Sequence, residues 1–497
     1  MIAPVRWVPL AVGMAVALLA VASGCGDAGS SPASARGTPT VHPAAKRKPV
    51  FVEGFRSRRD LRPPTVRVGK RSRRLAPGHI FVAPLNGPGQ DGPMIVDDRG
   101  ELVWFRPLKG RSAMDFRVQS YQGKPVLTWW QGRFVRGWGQ GEYVIADESY
   151  RQVARVRAGN GFRGDHHDFT LTSRGTALLT IYVPVRRDLS SVGGPARGTV
   201  MEGVLQEVDI ETGRVLFEWH SLDHVGIAES YKSLRKRDDP WDYFHINSID
   251  VASDGNLLVS ARNTHAVYKI NRRTGALIWR LGGKRSNFKL GRGSRFAWQH
   301  DARPHPDGTV SIFDNSASPK VRRRSRGIVV ALDTTTRRAR LKRHYEHGDV
   351  LAPNKASMQV LPNGNAFVGW GSEPHISEFS RQGRLLFDAH FPRKVDSYRA
   401  YRFPWTGRPT GGPALLARKR PGGSLLVHAS WNGATEVASW QVLAGPGPDA
   451  LKPLGSARRD GFETAIRVRT GEPYVAVQAR GRSGEVLGIS RAVKPRG

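Results

Sequence analysis

Met94 to Phe105 reads MIVDDRGELVWF: an apolar strand, a polar turn ending at Gly100, then an apolar strand ending in two aromatics. The same hairpin recurs as QEVDIETGRVLFEW around Gly213, YKINRRTGALIW around Gly275 and ISEFSRQGRLLF around Gly383. Weaker copies are YVIADESYRQVARV around Ser149 and VVALDTTTRRARL around Thr336. The spacing of roughly 45 to 65 residues lies in the range of propeller blades with loop insertions. Between successive copies stands a second hairpin: FRVQSYQGKPVLTW, HDFTLTSRGTALLTIY, INSIDVASDGNLLVSA, HDARPHPDGTVSIFD and SMQVLPNGNAFVGW. Apolar and polar residues alternate along these runs, and Asp-Gly, Asn-Gly and Thr-Gly occupy turns that need a positive φ. Two hairpins per unit make one four-stranded antiparallel sheet. The expected fold is therefore all-β, a six-bladed β-propeller over residues 51–404, whose closed ring removes the exposed edges so many strands would otherwise leave. After Pro404 the pattern changes. SLLVHASWNGATEVASWQVLAG and YVAVQARGRSGEVLGIS carry short alternating strands with Trp431 and Trp440, which predicts a small fibronectin III-like β-sandwich over residues 411–493.

The chain has 497 residues, with 77 Lys and Arg against 42 Asp and Glu, a formal charge of +35. The arginines are spread along the whole length, and the runs Arg56–Arg59, Arg71–Arg74 and Arg322–Arg326 belong to no recognisable nucleic-acid-binding motif. No nucleic-acid partner is expected; the charge reads as a solvated basic surface, with attraction to anionic polymers or substrates as the other reading. The single cysteine, Cys25, rules out an intrachain disulfide and a cysteine-based zinc site. Arg6 precedes an apolar run from Val8 to Ala22, of signal-peptide rather than membrane-span length. It ends in Ala22-Ser23-Gly24-Cys25, the pattern of a bacterial lipobox. Residues 1–25 thus read as a lipoprotein signal peptide with Cys25 the lipidated residue, and 26–50 as a flexible tether. The expected location is the extracytoplasmic side of the cell membrane, or the medium.

Strand phase separates the two faces of such a disc. The tight turns lie on one face, so the long connections, Pro184–Thr199, His220–Tyr243, Gly282–Gln299 and Asn315–Ser325, must emerge on the other, where binding and catalysis concentrate. His167 lies eight residues before Gly175, His245 ten before Gly255 and His300 eight before Gly308. Each then starts the innermost strand of its blade on the long-loop face, and equivalent positions converge on the axis. Of the pair His166-His167, strand alternation puts one on each side, with His167 towards the channel. Arg262, Asn263, His265, Asn315, Arg326 and His375 come from neighbouring connections. Imidazoles, amides and guanidinium with few acids beyond Asp168 and Asp301 suit an anion of three oxygens. No HExxH-type spacing is present, so no metal is expected. Without a Walker loop or a GxSxG elbow, nucleotide and serine-hydrolase readings fall away.

HHDFTLTSRGTALLTIY, DYFHINSID, TGALIWRLGG, WQHDARPHPDGTVSIFDN, SRGIVVALD and LPNGNAFVGWGSEPHISEF together resemble the bacterial arylsulfotransferase family, in its actinobacterial and fungal branch. The resemblance implies a six-bladed propeller that moves a sulfuryl group from a phenolic sulfate ester to an acceptor phenol. It implies neither the nucleotide donor PAPS nor any other cofactor, and a transiently sulfated histidine. By motif, His245 and His300 match sulfate-binding histidines and Arg326 the arginine. His375, in SEPHISEF, is the candidate nucleophile, with His167 and His300 as alternatives. Asn247, Arg262, Asn263 and Asn315 are candidate substrate ligands. The competing expectation is a non-catalytic surface propeller binding anionic envelope glycans or a protein.

Overall fold

The computed structural model describes residues 51–135, 138–235 and 238–497. Cys25, the leader and the tether lie outside the described residues. The chain is all-β. Between Arg67 and Phe403 the strands form six sheets, in each of which four antiparallel strands follow the order read from the repeats, while the short strands Trp241–Asp242 and Lys289–Leu290 pair in parallel. In the fourth sheet, for example, Ile246–Val251, Leu257–Ala261, Ala266–Ile270 and Leu277–Gly282 run as neighbours in chain order. Every sheet carries a register shift between its third and fourth strands, as at Ile95/Val96, Glu207/Val208 and Lys269/Ile270. The bulge bends the outer strand and adds twist at the same place in each copy.

The first strand of each sheet packs against the first strand of the next, and the last sheet packs against the first. Alternation explains why. One face of each sheet buries its apolar side chains against its neighbour, as where Leu178, Leu205 and Trp219 meet Phe244, Ile246 and Tyr268. Closure uses both ends of the ring. The last strand, Asp396–Phe403, pairs with His79–Leu85 as the inner strand of the first sheet. Arg67–Arg71 pairs in turn with Leu385–His390 on the outer edge of the last sheet.

Residues 414–489 form two further antiparallel sheets, of three and four strands, around Val427, Trp440, Val442, Ile466 and Val477. They cover the outer strand Leu102–Phe105. There Asn432 accepts from the Phe105 N–H (3.0 Å) and donates to its carbonyl (2.9 Å), and the Tyr150 hydroxyl donates to the Gly433 carbonyl (2.7 Å).

Candidate active site

His245 immediately precedes the inner strand Ile246–Val251, and His300 opens the inner strand His300–Pro304. Their rings lie 6.3 Å apart, and that of His167 lies 4.7 Å from His245. The segment before Phe169–Leu171 is not yet strand, so alternation does not apply to it. His166 and His167 turn to the same side, 4.0 Å apart, a departure from the one-per-face expectation.

In all three axial histidines Nδ1 is held and Nε2 makes no hydrogen bond among the described residues. Asp165 takes Nδ1 of His167. Asp242 takes that of His245 at 2.5 Å, and Asn315 Oδ1 that of His300 at 2.8 Å. The Asn315 amide nitrogen donates to the carbonyls of Ala352 (2.9 Å) and Lys355 (3.1 Å). Its oxygen must therefore face His300, and Nδ1 must carry the proton. Burial first, then the charges of Arg262 and His245, hold the His300 imidazole well below its usual range. Burial and His166 push that of His167 down to about 3. Both are neutral bases at Nε2. Burial alone would raise Asp242, but His245 outweighs it and holds the carboxyl below its usual value. His245 has a φ of 59°, strained backbone for this residue type, and 21% of its side chain is exposed against 5% for His167.

Two tyrosines complete the cluster and gave no sequence signal separable from core packing. Tyr182 donates to the Ile246 carbonyl (2.6 Å), its ring 5.2 Å from His167 and 5.7 Å from His245. Tyr398, from the ring-closing strand, lies 5.4, 5.7 and 6.4 Å from His166, His167 and His300. Its hydroxyl is buried without a partner, and burial drives its pKa well above 10, so it remains a donor. The nearby acids Asp165 and Asp242 stand two and three residues before their histidines, a spacing that could have flagged them.

The other expected residues divide. Arg262 lies over the Trp298 ring at 4.8 Å and donates to Asn263 Oδ1 (2.8 Å) and the Pro353 carbonyl (3.2 Å). Burial lowers its pKa to about 10, so it stays cationic, and its charge bears on His300. Asn263 donates to the Asp242 carbonyl (2.6 Å) and so fixes the loop that holds His245. Asn247 is fully buried and ties its inner strand to the Gln299 carbonyl (2.7 Å), leaving Oδ1 without a partner. Arg326 is not brought to the histidines. Its guanidinium is taken by Asp314 (3.0 Å) and the carbonyls of Gly293 and Arg295 (2.9 Å each). His375 is not brought there either. It opens the third strand of the last sheet, His375–Phe379, beside His347 and Asp388. Strand phase gave its face of the disc but not its radius, and two strand spacings of about 4.8 Å separate it from the inner strand.

Further along the axis, Asp115, Asp168 and Asp301 meet Arg117, Arg303 and Arg399 in a network of three buried acids and three buried or nearly buried bases. Arg399 reaches Asp115 (2.9 Å) and Asp168 (3.0 Å), while Arg303 reaches Asp168 (2.9 Å) and Asp301 (2.8 Å). Asp168 and Asp301 are therefore committed to arginines rather than free to ligate an ion.

Neutral imidazoles, a buried cation and an unpartnered hydroxyl around one axial point suit an anion. Residues 117–392 match the family model described as Arylsulfotransferase (ASST). The chain belongs to the arylsulfotransferase family. No curated protein matches it. Among solved structures, a protein of unknown function from Bacteroides caccae is 14% identical with a TM-score of 0.40, covering 65% of this chain and 98% of its own. A streptogramin B lyase is 10% identical (TM-score 0.34; 73% and 94%), and a Lactobacillus plantarum protein 12% identical (TM-score 0.37; 84% and 97%). The substrates implied by the family are small aryl sulfates and phenols.

Proposed function

We propose that the protein transfers a sulfuryl group from an aryl sulfate to a phenol without PAPS, through a sulfohistidine formed on His245. The observation that carries the assignment is the Asp242–His245 pair at 2.5 Å, with the most exposed axial imidazole beside His167, Tyr182 and His300. With Nδ1 bearing its proton towards Asp242, the Nε2 lone pair attacks sulfur and the S–O(aryl) bond breaks. The electron pair departs on the phenolate. Asp242 balances the positive charge developing on the ring, as the acid of a catalytic triad does. Arg262 and the Tyr398 hydroxyl stabilise the negative oxygens of donor and leaving group. In the second half, His300 Nε2 takes the proton of the acceptor phenol, whose oxygen attacks sulfur. The N–S bond breaks, and its pair returns to His245. The first phenolate gains its proton from water, and His300 returns its own to water.

The finer architecture belongs to the same proposal. The six sheets are the blades of one six-bladed propeller over residues 51–404, supported by ring closure and the repeated outer bulge, with a fibronectin III-like sandwich over 411–493. Cys25 carries a lipid that anchors the protein on the extracytoplasmic side, supported by the Ala22–Cys25 pattern.

The test is p-nitrophenolate release from p-nitrophenyl sulfate with a phenol acceptor and no PAPS, together with mass spectrometry of the donor-treated protein. Turnover and an acid-labile adduct on His245 are expected, both lost in His245→Ala. An adduct on another residue, or none with any aryl sulfate, overturns the assignment.

A further inference from the structure

Outside the axial site, the described residues hold one more group of side chains with metal-ligating atoms close together: His347, His375 and Asp388, whose ligand atoms all lie within 4.8 Å of one another. They come from two sheets. His347 follows the outer strand Arg338–Tyr345 of the fifth, whereas His375 opens the third strand of the sixth and Asp388 stands on its fourth, Leu385–His390. The cluster is thus built by the packing of one sheet's edge on the next, well out from the axis.

Two independent observations bear on what it binds. The first is spacing. His347 Nε2 is 2.9 Å and His375 Nδ1 3.8 Å from the same oxygen of Asp388. A tetrahedral zinc ion with arms of 2.0 to 2.1 Å separates its ligand atoms by about 3.3 Å, and the two distances bracket that edge. The second is an unmet need. His375 Nδ1, the nitrogen turned to Asp388, is buried without a hydrogen-bond partner, and 3.8 Å is too long for His375 to satisfy itself on Asp388. An orphaned imidazole nitrogen facing a carboxylate is what a cation would satisfy. The carboxylate is also held in place. Ser377, directly opposite Asp388 in the strand pair, donates to the same oxygen at 3.2 Å, an outer contact of the kind that orients a ligating carboxylate.

We propose that His347, His375 and Asp388 bind one divalent transition-metal ion of the zinc type, leaving further coordination positions to water or an outside ligand. Two imidazoles and a carboxylate select such an ion over calcium or magnesium, which take all-oxygen sets. The site stands apart from the sulfuryl-transfer reading and does not depend on it.

The full chain, stripped with EDTA, is titrated with Zn²⁺ in competition with a chromophoric chelator, and the loaded protein is read by zinc-edge X-ray absorption. One ion per chain is expected, with nitrogen and oxygen scatterers at about 2.0 Å and the signature of two imidazoles. His347→Ala and Asp388→Asn should each weaken binding by more than the roughly 10- to 100-fold that loss of an outer partner costs. His375→Gln, similar in size, serves as a variant less disturbing to the strand, and circular dichroism establishes that each is folded. His166→Gln, which alters the other His-Asp group of the axis, should bind like wild type. Absence of zinc binding by wild type, equal binding by the folded cluster variants, or loss of binding in His166→Gln instead would each overturn the proposal.

Discussion

Arg326→Met should cost stability before it costs chemistry, and Arg262→Met should do the reverse. Arg326 is 7% exposed and its partner Asp314 fully buried. Methionine replaces the volume but leaves Asp314 without the guanidinium, and breaking a buried pair costs about 3 to 5 kcal/mol. The lower end applies here. Asp314 keeps hydrogen bonds from the Ala297 N–H (3.0 Å) and the Ser316 hydroxyl (2.7 Å), with Arg322 at 3.7 Å. If the ring melts as a unit of about 340 residues, its unfolding entropy near Tm is about 0.7 kcal/mol/K, so a loss of about 3 kcal/mol lowers Tm by about 4 °C. Arg262→Met keeps an apolar stem over Trp298 and gives up two hydrogen bonds, so Tm should move by no more than about 2 °C. Loss of its charge beside the reacting anion removes about 1.5 to 3 kcal/mol, or roughly ten- to a hundred-fold in kcat/KM. The assay pairs thermal melts with kcat/KM for p-nitrophenyl sulfate. Were Arg326→Met to melt like wild type and lose activity tenfold while Arg262→Met retained it, the arginine of SRGIVVALD would be the sulfate ligand and the reasoning from ion pairing would be refuted.

Tyr398→Phe removes a buried hydroxyl that satisfies nothing in the protein, so Tm should hold or rise while kcat falls about tenfold; an unchanged kcat removes Tyr398 from the reaction. Burial, then Arg262 and Lys284, lower the His265 pKa to about 3. Its native form is therefore neutral, and the stability it carries is complete above pH 6.5 and lost as pH falls from there towards 3. The slope is about 1.4 kcal/mol per pH unit. The His265 ring stacks on Tyr231 at 4.1 Å, so His265→Phe should stack in its place and flatten the fall in urea midpoint between pH 7 and 5; the same fall as in wild type would contradict this. Cys25→Ser should move the protein from the membrane fraction to the medium or leave it unprocessed, and unchanged fractionation would exclude the lipid anchor.

The hairpins were legible because two local signals agree in them, alternation along the strand and glycine where the backbone turns left-handed. That phase also located His245 and His300 at the heads of inner strands, since it fixes position along a strand. It does not fix distance from the axis, hence His375. Nor does it reveal what lies beside a charge. Arg326 reads as a free cation until Asp314, twelve residues away, is seen across the strand pair Thr309–Asp314 and Arg326–Asp333. Tyr398 was hidden for the opposite reason. DSYRAYRF is a plausible strand whose aromatics pack, and only closure of the ring turns one towards the histidines.

That closure bears on how the protein is made. Tyr398 and Arg399 sit on the strand that pairs last in chain order, Asp396–Phe403, while its partner His79–Leu85 leaves the ribosome more than 300 residues earlier. Until the late strand arrives, His79–Leu85 has an open edge, the three axial acids lack the Arg399 that bridges two of them, and the histidines lack their tyrosine. A nascent or truncated chain ending before residue 396 therefore carries the imidazoles without a finished site. The slow step in maturation should be docking of the final strand rather than folding of any single sheet.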